Sequence, residues 1–541
     1  MNKKWFASII FWLALLTLGG FLLRFYSVGS NPSILNRDEA ALAYNAYLLK
    51  EAGQDEWGRS WPLALESFGD YKLPGYPLLL LTFFTFLPLE DWVVRLPSVI
   101  AGTLLIPLSF FFAKRFKFSD SLSLLFAFII ALAPVFFFYS RIAFEANVGL
   151  ALLVGALVLL LSRNRNQLFM DAIALILMVV AVFTYNTPLL LVPFVVPAVI
   201  FFRGWGNLRS WFIPVIGLST IFVVVMSLLW PLTSQKSGIT IFTDESTWSQ
   251  WVSFRESLPA SAQSSIGSRY FYWLGVMLVN FGQSFSPRFL ITEGGTHPWH
   301  SLPNYGHTYF TVYILGIFGL LTLFPSFFTL FKCWVTNFDA GMKVAATRCA
   351  ATLELIKPEM MLLYLLIVSL APSVITVDSP HTTRSLFFIY IFYLLSIRGL
   401  AIAIEHLGKS KKAATILIVL FMGVMLLETS KYFYRYFYTF PTQQKKWFPG
   451  FQDAIQELER RFPHEEVAVV DGGGFHYILT AWYLKIPADQ YLQTNVRQLP
   501  DRIGFRYGER VTHYHFIGHP EDRSHEKAML LWEGTSWRIE P

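Results

Sequence analysis

Apolar runs of about 20 residues recur from one end of this chain to the other, and a helix of that length matches the hydrocarbon thickness of a bilayer. Lipid offers no partner to an unpaired backbone N–H or C=O, so a chain patterned this way must bury its peptide groups in membrane-spanning helices. Hydrophobic residues make up 54% of the 541 and charged residues only 15%, which excludes a water-soluble globular class and points to a mostly α-helical polytopic membrane protein. The first run, 5–23, follows Lys3-Lys4 and meets no small-residue cleavage site before Arg24-Phe25-Tyr26, so it reads as an uncleaved span. Ten more spans are predicted near 92–113, 121–138, 148–161, 168–185, 188–202, 211–230, 306–331, 359–376, 384–401 and 413–433, about eleven in all.

Basic residues fall on alternate turns: Lys3-Lys4, Lys114-Arg115-Lys117, Arg163 and Arg165, Arg203 and Arg209, Lys332 to Lys357, and Lys409-Lys411-Lys412. The positive-inside bias puts these turns and the N-terminus in the cytoplasm, and the odd span count puts the C-terminus outside the cell membrane. The net charge of +7 is then explained by topology and by anionic lipid at the inner surface, without a nucleic-acid partner. The two cysteines, Cys333 and Cys349, fall on the predicted inner side, and no disulfide framework is implied.

The sequence divides into a transmembrane domain, 1–433, and an extracytoplasmic domain, 434–541. Within the first, two outer segments are long, 27–91 and 231–305, and long loops on a rigid scaffold are where function concentrates. Residues 39–50 and 76–87 read as interfacial helices along the outer leaflet. Trp248, Trp251, Tyr270, Tyr272 and Trp273 give the second segment the aromatic character of a loop at headgroup depth. Beyond 434 the pattern becomes that of a small α/β module: an amphipathic helix at 451–461, a buried strand at 467–471, a helix at 475–485, and strands at 512–517 and 528–532. Asp471-Gly-Gly-Gly lacks the glycine spacing of a dinucleotide site and reads as a tight strand-to-helix connection, so no nucleotide cofactor is expected.

An ionisable residue at the membrane boundary loses hydration, so it persists where it is paired or where it works. Asp38 and Glu39 stand at the head of the first outer segment, and Tyr71-Lys72 near its end. Arg141 and Glu145 lie at the outer turn after the third span; their spacing of four also suits a simple helical ion pair. Asp378, His381 and Arg384 occupy another outer turn, where a snorkelling arginine with loop partners is the plainer reading. Both charge types thus converge on one membrane face. A lipid-linked phosphosugar suits that set: Lys72, Arg141 and Arg384 would hold the phosphate, Asp38 would accept a proton from the acceptor as general base, and a charge-neutralised phosphate leaves without a strong acid.

The order Arg37-Asp38-Glu39, Tyr71-Lys72-Leu-Pro-Gly-Tyr76, Trp92-Val-Val-Arg95-Leu-Pro97, and Tyr139-Ser-Arg141 through Glu145 resembles the GT-C glycosyltransferases over roughly residues 1–400. Within that fold it is most similar to the bacterial protein O-mannosyltransferase and aminoarabinose transferase (ArnT-like) group. The resemblance implies that Asp38 is the catalytic carboxylate, with Glu39 beside it, and that Lys72 contacts the donor phosphate. It also places Glu145 where relatives usually carry Asp as the second acidic position. A polyprenyl-phosphate sugar donor, a glycan, lipid or protein acceptor, and inversion at the anomeric carbon follow from the same likeness.

Some relatives hold a divalent ion near the donor phosphate and others work without one. Glu293, His297 and His300 have ligand types and spacing for such an ion, and are equally ordinary interfacial residues beside Trp299. His307 reads as structural. Two other classes compete with the transferase: a flippase or transporter of lipid-linked sugars, which predicts broken helices and midplane charges, and a non-catalytic scaffold with a merely solvated acidic loop.

Overall fold

The computed structural model describes residues 3–541 apart from 163–165, 205–207, 236–238, 296, 338–341, 409 and 502–504. The chain is mostly helical, as expected. Among the described residues eight helices are long and apolar enough to cross a membrane, beginning with Ser8–Phe25 and ending with Lys412–Gln443. Three of the eleven expected spans look different. The stretch near 121–138 is two helices, Asp120–Leu132 and Pro134–Tyr139, interrupted where Ala133 is extended and Pro134 starts a new first turn. The one near 148–161 is the 16-residue helix Glu145–Leu160, and the one near 359–376 is the second half of Met342–Ser369. Thr382–His406 and Asp91–Arg115 are the most buried of the eight and form the centre of the bundle.

Cys333 and Cys349 are joined in a disulfide, contrary to the reading that no such bond is implied. The successive helices Phe324–Asn337 and Met342–Ser369 pack together and bring residues 16 apart in sequence side by side, a proximity that cysteine spacing alone does not reveal.

The segment 23–34 leaves the first helix with carbonyls unpaired by regular structure, and buried arginines satisfy them. Arg95 donates to the carbonyls of Val28 (2.7 Å), Pro32 (2.8 Å) and Ile34 (2.7 Å). Arg141 donates to those of Arg24 (2.8 Å), Tyr26 (2.5 Å), Ser27 (3.0 Å) and Asn31 (3.0 Å). A guanidinium suits this work because its five N–H groups diverge in a fixed fork.

The helix Arg37–Ala52 then starts on a capping box: Asn36 Oδ1 accepts from the N–H of Asp38 (2.9 Å) and Glu39 (3.1 Å), and Glu39 Oε2 accepts from the Asn36 N–H (3.0 Å). Its end is fixed by Gly53 in the left-handed region. Downstream, β1 (Leu65–Ser67) and β2 (Asp70–Lys72) form a hairpin through a two-residue turn, Phe68-Gly69, with both φ positive. Gly75–Phe84 follows as a 10-residue apolar helix, too short to span and suited to the interface.

The C-terminal α/β unit carries β3 (Val467–Val470), β4 (Val496–Arg497), β5 (Gly508–Val511), β6 (Tyr514–Ile517), β7 (Ala528–Trp532) and β8 (Trp537–Glu540) in one sheet, order β4-β5-β6-β3-β7-β8. β6, β3 and β7 are parallel, and the outer pairs are antiparallel. Asp471-Gly-Gly-Gly is the tight strand-to-helix connection read from the sequence; Asp471 accepts from the His476 N–H (2.6 Å) and pairs with its Nδ1 (2.7 Å).

This unit does not stand apart from the membrane domain. Tyr44, Tyr76 and Phe84 of the segment 27–91 share one apolar core with Phe451, Tyr477, Trp482 and Tyr491. Polar clamps frame it: Trp482 Nε1 and Tyr483 Oη each donate to Asp91 (2.9 Å), and Arg497 pairs with Glu56 at 2.7 Å, with Glu56 wholly buried. Removing one partner of a buried pair leaves the other charge uncompensated, at a cost of about 3–5 kcal/mol. Glu56→Gln should therefore loosen the C-terminal unit. Limited proteolysis of the full chain in detergent is expected to release a fragment beginning near 434 faster than in the unsubstituted protein, while Glu457→Gln, a half-buried position on the helix Phe451–Arg461 whose carboxylate pairs only with Arg460 and Arg461 among the described residues, leaves cleavage unchanged.

Candidate functional site

The capping box that starts Arg37–Ala52 puts Asp38 in its first turn, and the period-two alternation of β2 puts Asp70 and Lys72 on one face of the hairpin. The two elements meet there. Lys72 Nζ lies 2.9 Å from Asp38 Oδ1 and 2.9 Å from Asp70 Oδ2. Glu145, at the N-terminus of Glu145–Leu160, is buried within the field of Lys72, Asp38 and Asp70. Burial raises the Asp38 carboxyl, but Lys72 and Arg37 outweigh it and hold the group below the usual carboxylate range. Burial lowers the Lys72 ammonium, yet Asp38, Asp70 and Glu145 together raise it well above its ordinary value.

Arg37 is the cation that the sequence reading left without a role. Its guanidinium sits 5.5 Å from the ring of Phe68, 5.3 Å from Trp299 and 5.7 Å from Phe475, so the first outer loop, the second and the C-terminal unit each contribute one aromatic wall. Its Nε is buried without a hydrogen-bond partner, and among the described residues no carboxylate pairs with it. Position beside Asp38 was the one signal in the sequence that pointed to it.

A histidine group borders this cluster. His300 packs against His297 (4.7 Å between ring centroids), His381 (4.8 Å) and Phe144 (5.5 Å). Asp378 forms an ion pair with Arg384 and lies 3.6 Å from His381 Nε2. Burial pushes His297 down despite Asp38, pushes His300 well below its ordinary value, and takes His381 down to about 4. Asp38 and Arg37 both act on His297, which ties the two groups into one polar region.

Other expected residues fall elsewhere. Glu39 is fully buried, with Arg95 Nε at 2.9 Å and the Ala143 N–H at 2.8 Å on Oε1, so it braces the Asp38 turn. Arg141 does not face the site: its donors go to loop carbonyls and to Tyr436 Oη at 2.8 Å. It does not pair with Glu145 either, because residues 140–144 leave the helix and break the spacing of four. Tyr71 lies on the face of β2 opposite Lys72 and donates to Glu66 at 3.0 Å. Glu293 is ion-paired with Arg288 at 2.6 Å and half exposed, so it does not converge with His297 and His300. The Nδ1 atoms of those two histidines are buried without partners, but among the described residues the pair belongs to no three-ligand cluster. The predicted Glu293-His297-His300 metal set is not assembled.

Neither a protein-family model nor a curated relative matches the sequence. Solved structures do. The oligosaccharyltransferase of Archaeoglobus fulgidus, tethered with an acceptor peptide containing the NVT sequon, aligns with 89% of this chain and 63% of its own at 13% identity and a TM-score of 0.53. The fold is GT-C. The same archaeal protein, AglB, in complex with an inhibitory peptide and a dolichol-phosphate, aligns over 89% and 64% at 14% identity and a TM-score of 0.50. ArnT from Cupriavidus metallidurans in the apo state aligns over 89% and 85% at 14% identity and a TM-score of 0.48. This GT-C chain thus spans less than two thirds of the oligosaccharyltransferase it matches. The architecture is the one implied by the order of the Asp38, Lys72, Arg95 and Glu145 segments.

The buried histidines set a pH limit on stability. An imidazole with a lowered folded pKa binds its proton later on acidification than the unfolded chain does, so stability is full above about pH 6.5 and falls below it. For His381 the loss continues to about pH 4. Asp38, with its carboxyl held low, weakens the fold only below the ordinary aspartate range. The melting temperature in detergent should drop by several degrees between pH 7 and pH 4.5, and His300→Gln should flatten that drop.

Proposed function

We propose that this chain is an inverting glycosyltransferase that moves a sugar from a polyprenyl-phosphate donor to an acceptor on the outer side of the cell membrane. The observation that carries the reading is Lys72 bonded to Asp38, with Arg37 beside them and, among the described residues, paired to no carboxylate. An apolar bundle below and a polar region above suit a substrate with a lipid tail and a charged head. The dolichol-phosphate in the archaeal structure of the same fold is a ligand of that class.

The chemistry follows from the charges. An entering phosphate competes with Asp38 for Lys72 and takes up Arg37, two cations in reach of one anion. As Lys72 turns to the phosphate, Asp38 loses the partner that held its pKa low and becomes a better base. The acceptor O–H or N–H then gives its proton to Asp38 while its heteroatom bonds to the anomeric carbon. The bond from that carbon to the phosphate oxygen breaks, and polyprenyl phosphate leaves with its new charge held by Lys72 and Arg37. Attack opposite the leaving group inverts the anomeric centre. Glu39 positions Asp38 through the capping box and Arg95, and Asp70 keeps Lys72 aimed when Asp38 is released. Glu145 orients Lys72 from the other side, and Arg384 with His381 borders the acceptor region. No step requires a metal ion.

The test is release of polyprenyl phosphate by the full chain in detergent, with a panel of polyprenyl-phosphate hexoses and pentoses as donors and stripped membranes as acceptor. Asp38→Asn should lower kcat by about 10²- to 10⁴-fold, the usual worth of a positioned general base. Arg37→Gln should raise the donor KM by about 10-fold, since a hydrogen bond to a charged group contributes about 1.5–3 kcal/mol. Full turnover by a folded Asp38→Asn variant would remove Asp38 from the mechanism, whereas no release of polyprenyl phosphate by the folded wild type with any donor would favour transport of the lipid over transfer of its sugar.

A further inference from the structure

Away from this site, the C-terminal sheet holds a second cluster of ligating side chains. His515 lies on β6 between Tyr514 and Phe516, which face the apolar core, so its own side chain leaves the opposite face of the sheet. Its Nε2 is hydrogen-bonded to the Glu466 carboxylate just before β3. Its Nδ1 faces Glu526 Oε1 at 3.9 Å. The His525 ring stands 5.4 Å from that of His515 between centroids, and one ligand atom from each of His515, His525 and Glu526 lies within 4.8 Å of the others. Glu526 is nearly fully buried, and its Oε2 accepts from the N–H groups of Ser524 (2.8 Å) and His525 (3.0 Å), which fixes the carboxylate and turns Oε1 to the histidines.

We propose that His515, His525 and Glu526 bind a divalent transition ion of the zinc class, which fastens the loop before β7 to the sheet. Two observations support this. When Nε2 of His515 donates to Glu466, Nδ1 is a bare lone pair, and it then faces a carboxylate oxygen: two acceptors turned toward each other repel unless a cation lies between them. A carboxylate on the far nitrogen of a ligating imidazole is also the usual support of a metal-bound histidine, since it fixes the tautomer and raises ligand basicity. Two imidazoles and one carboxylate match zinc, with a fourth position for water, better than they match magnesium or calcium, which prefer oxygen ligands. Ligands of a tetrahedral zinc stand about 3.3 Å apart at bond lengths of about 2.0–2.1 Å. The cluster therefore contracts on binding, and exposed His525, its Nδ1 hydrogen-bonded to Ser524 Oγ, is the side chain that swings in. The competing arrangement is a protonated His515 bridging Glu466 and Glu526 with no metal.

The experiment uses the full chain, purified in detergent through a tag free of histidine, stripped with a chelator and titrated with zinc chloride by calorimetry at pH 7.5. The wild type should take up one more zinc ion than the His525→Ala variant, and Glu466→Gln should weaken that ion by about 10- to 100-fold. Zinc should raise the melting temperature of the wild type and not that of His525→Ala, whose side chain is exposed; magnesium should do neither. Equal zinc uptake by wild type and His525→Ala, or a wild type that takes up none, would overturn the proposal and leave the protonated bridge.

Discussion

The buried pair of Glu39 and Arg95 fixes where everything else in the site can be. Both groups are excluded from solvent, and their attraction is supplemented until nearly every polar atom has a partner: Arg95 caps three loop carbonyls, and Glu39 receives the N–H groups of Asn36 and Ala143. An ion pair in this setting is favourable only because the geometry leaves no orphan. Its effect is positional. It pins the first turn of the Arg37–Ala52 helix to the Asp91–Arg115 helix and to the turn before Glu145, so that three distant stretches of chain keep a fixed register. Asp38 and Arg37 inherit their places from it.

On that frame, charges of opposite sign are arranged so that some are committed and one is not. Lys72 is shared by two carboxylates, Arg384 is paired with Asp378, and Arg141 is occupied by carbonyls. Arg37 has aromatic faces around it and no carboxylate among the described residues. Aromatic rings favour a cation over them without neutralising it, so Arg37 is held in position with its charge unspent. In our reading this distinction separates the residues that build the site from the one that waits for an anion.

Much of this was legible in the sequence, and the failures have identifiable causes. Span length points to the helical bundle, and the acidic and lysine motifs point to Asp38 and Lys72, which the fold brings to 2.9 Å from each other, because these signals are local. Asn36-Arg-Asp-Glu39 is the spacing of a capping box, a signal that ties Glu39 to the backbone beside Asp38. Tyr71 adjoins Lys72 in sequence, but adjacent residues of a strand face opposite ways, and Tyr71 bonds Glu66 instead. The spacing of four between Arg141 and Glu145 suits a helical ion pair, and convergence of charge suits Arg141 to a donor phosphate, but the chain turns between the two residues and commits Arg141 to loop carbonyls. The docking of the C-terminal unit on the first outer loop, through Glu56, Asp91, Arg497 and Trp482, was not legible at all, since those contacts join residues about 400 apart.

The most direct measurement is a cryo-electron microscopy structure of the full chain in lipid nanodiscs with bound polyprenyl phosphate. We expect the phosphate between Lys72 and Arg37, with oxygens about 2.7–2.9 Å from nitrogens of both side chains and Asp38 no longer in contact with Lys72. A phosphate bound instead at Lys431 and Arg435, in the cavity lined by Tyr305 and Glu428, with the Asp38–Lys72 bond intact, would contradict the account.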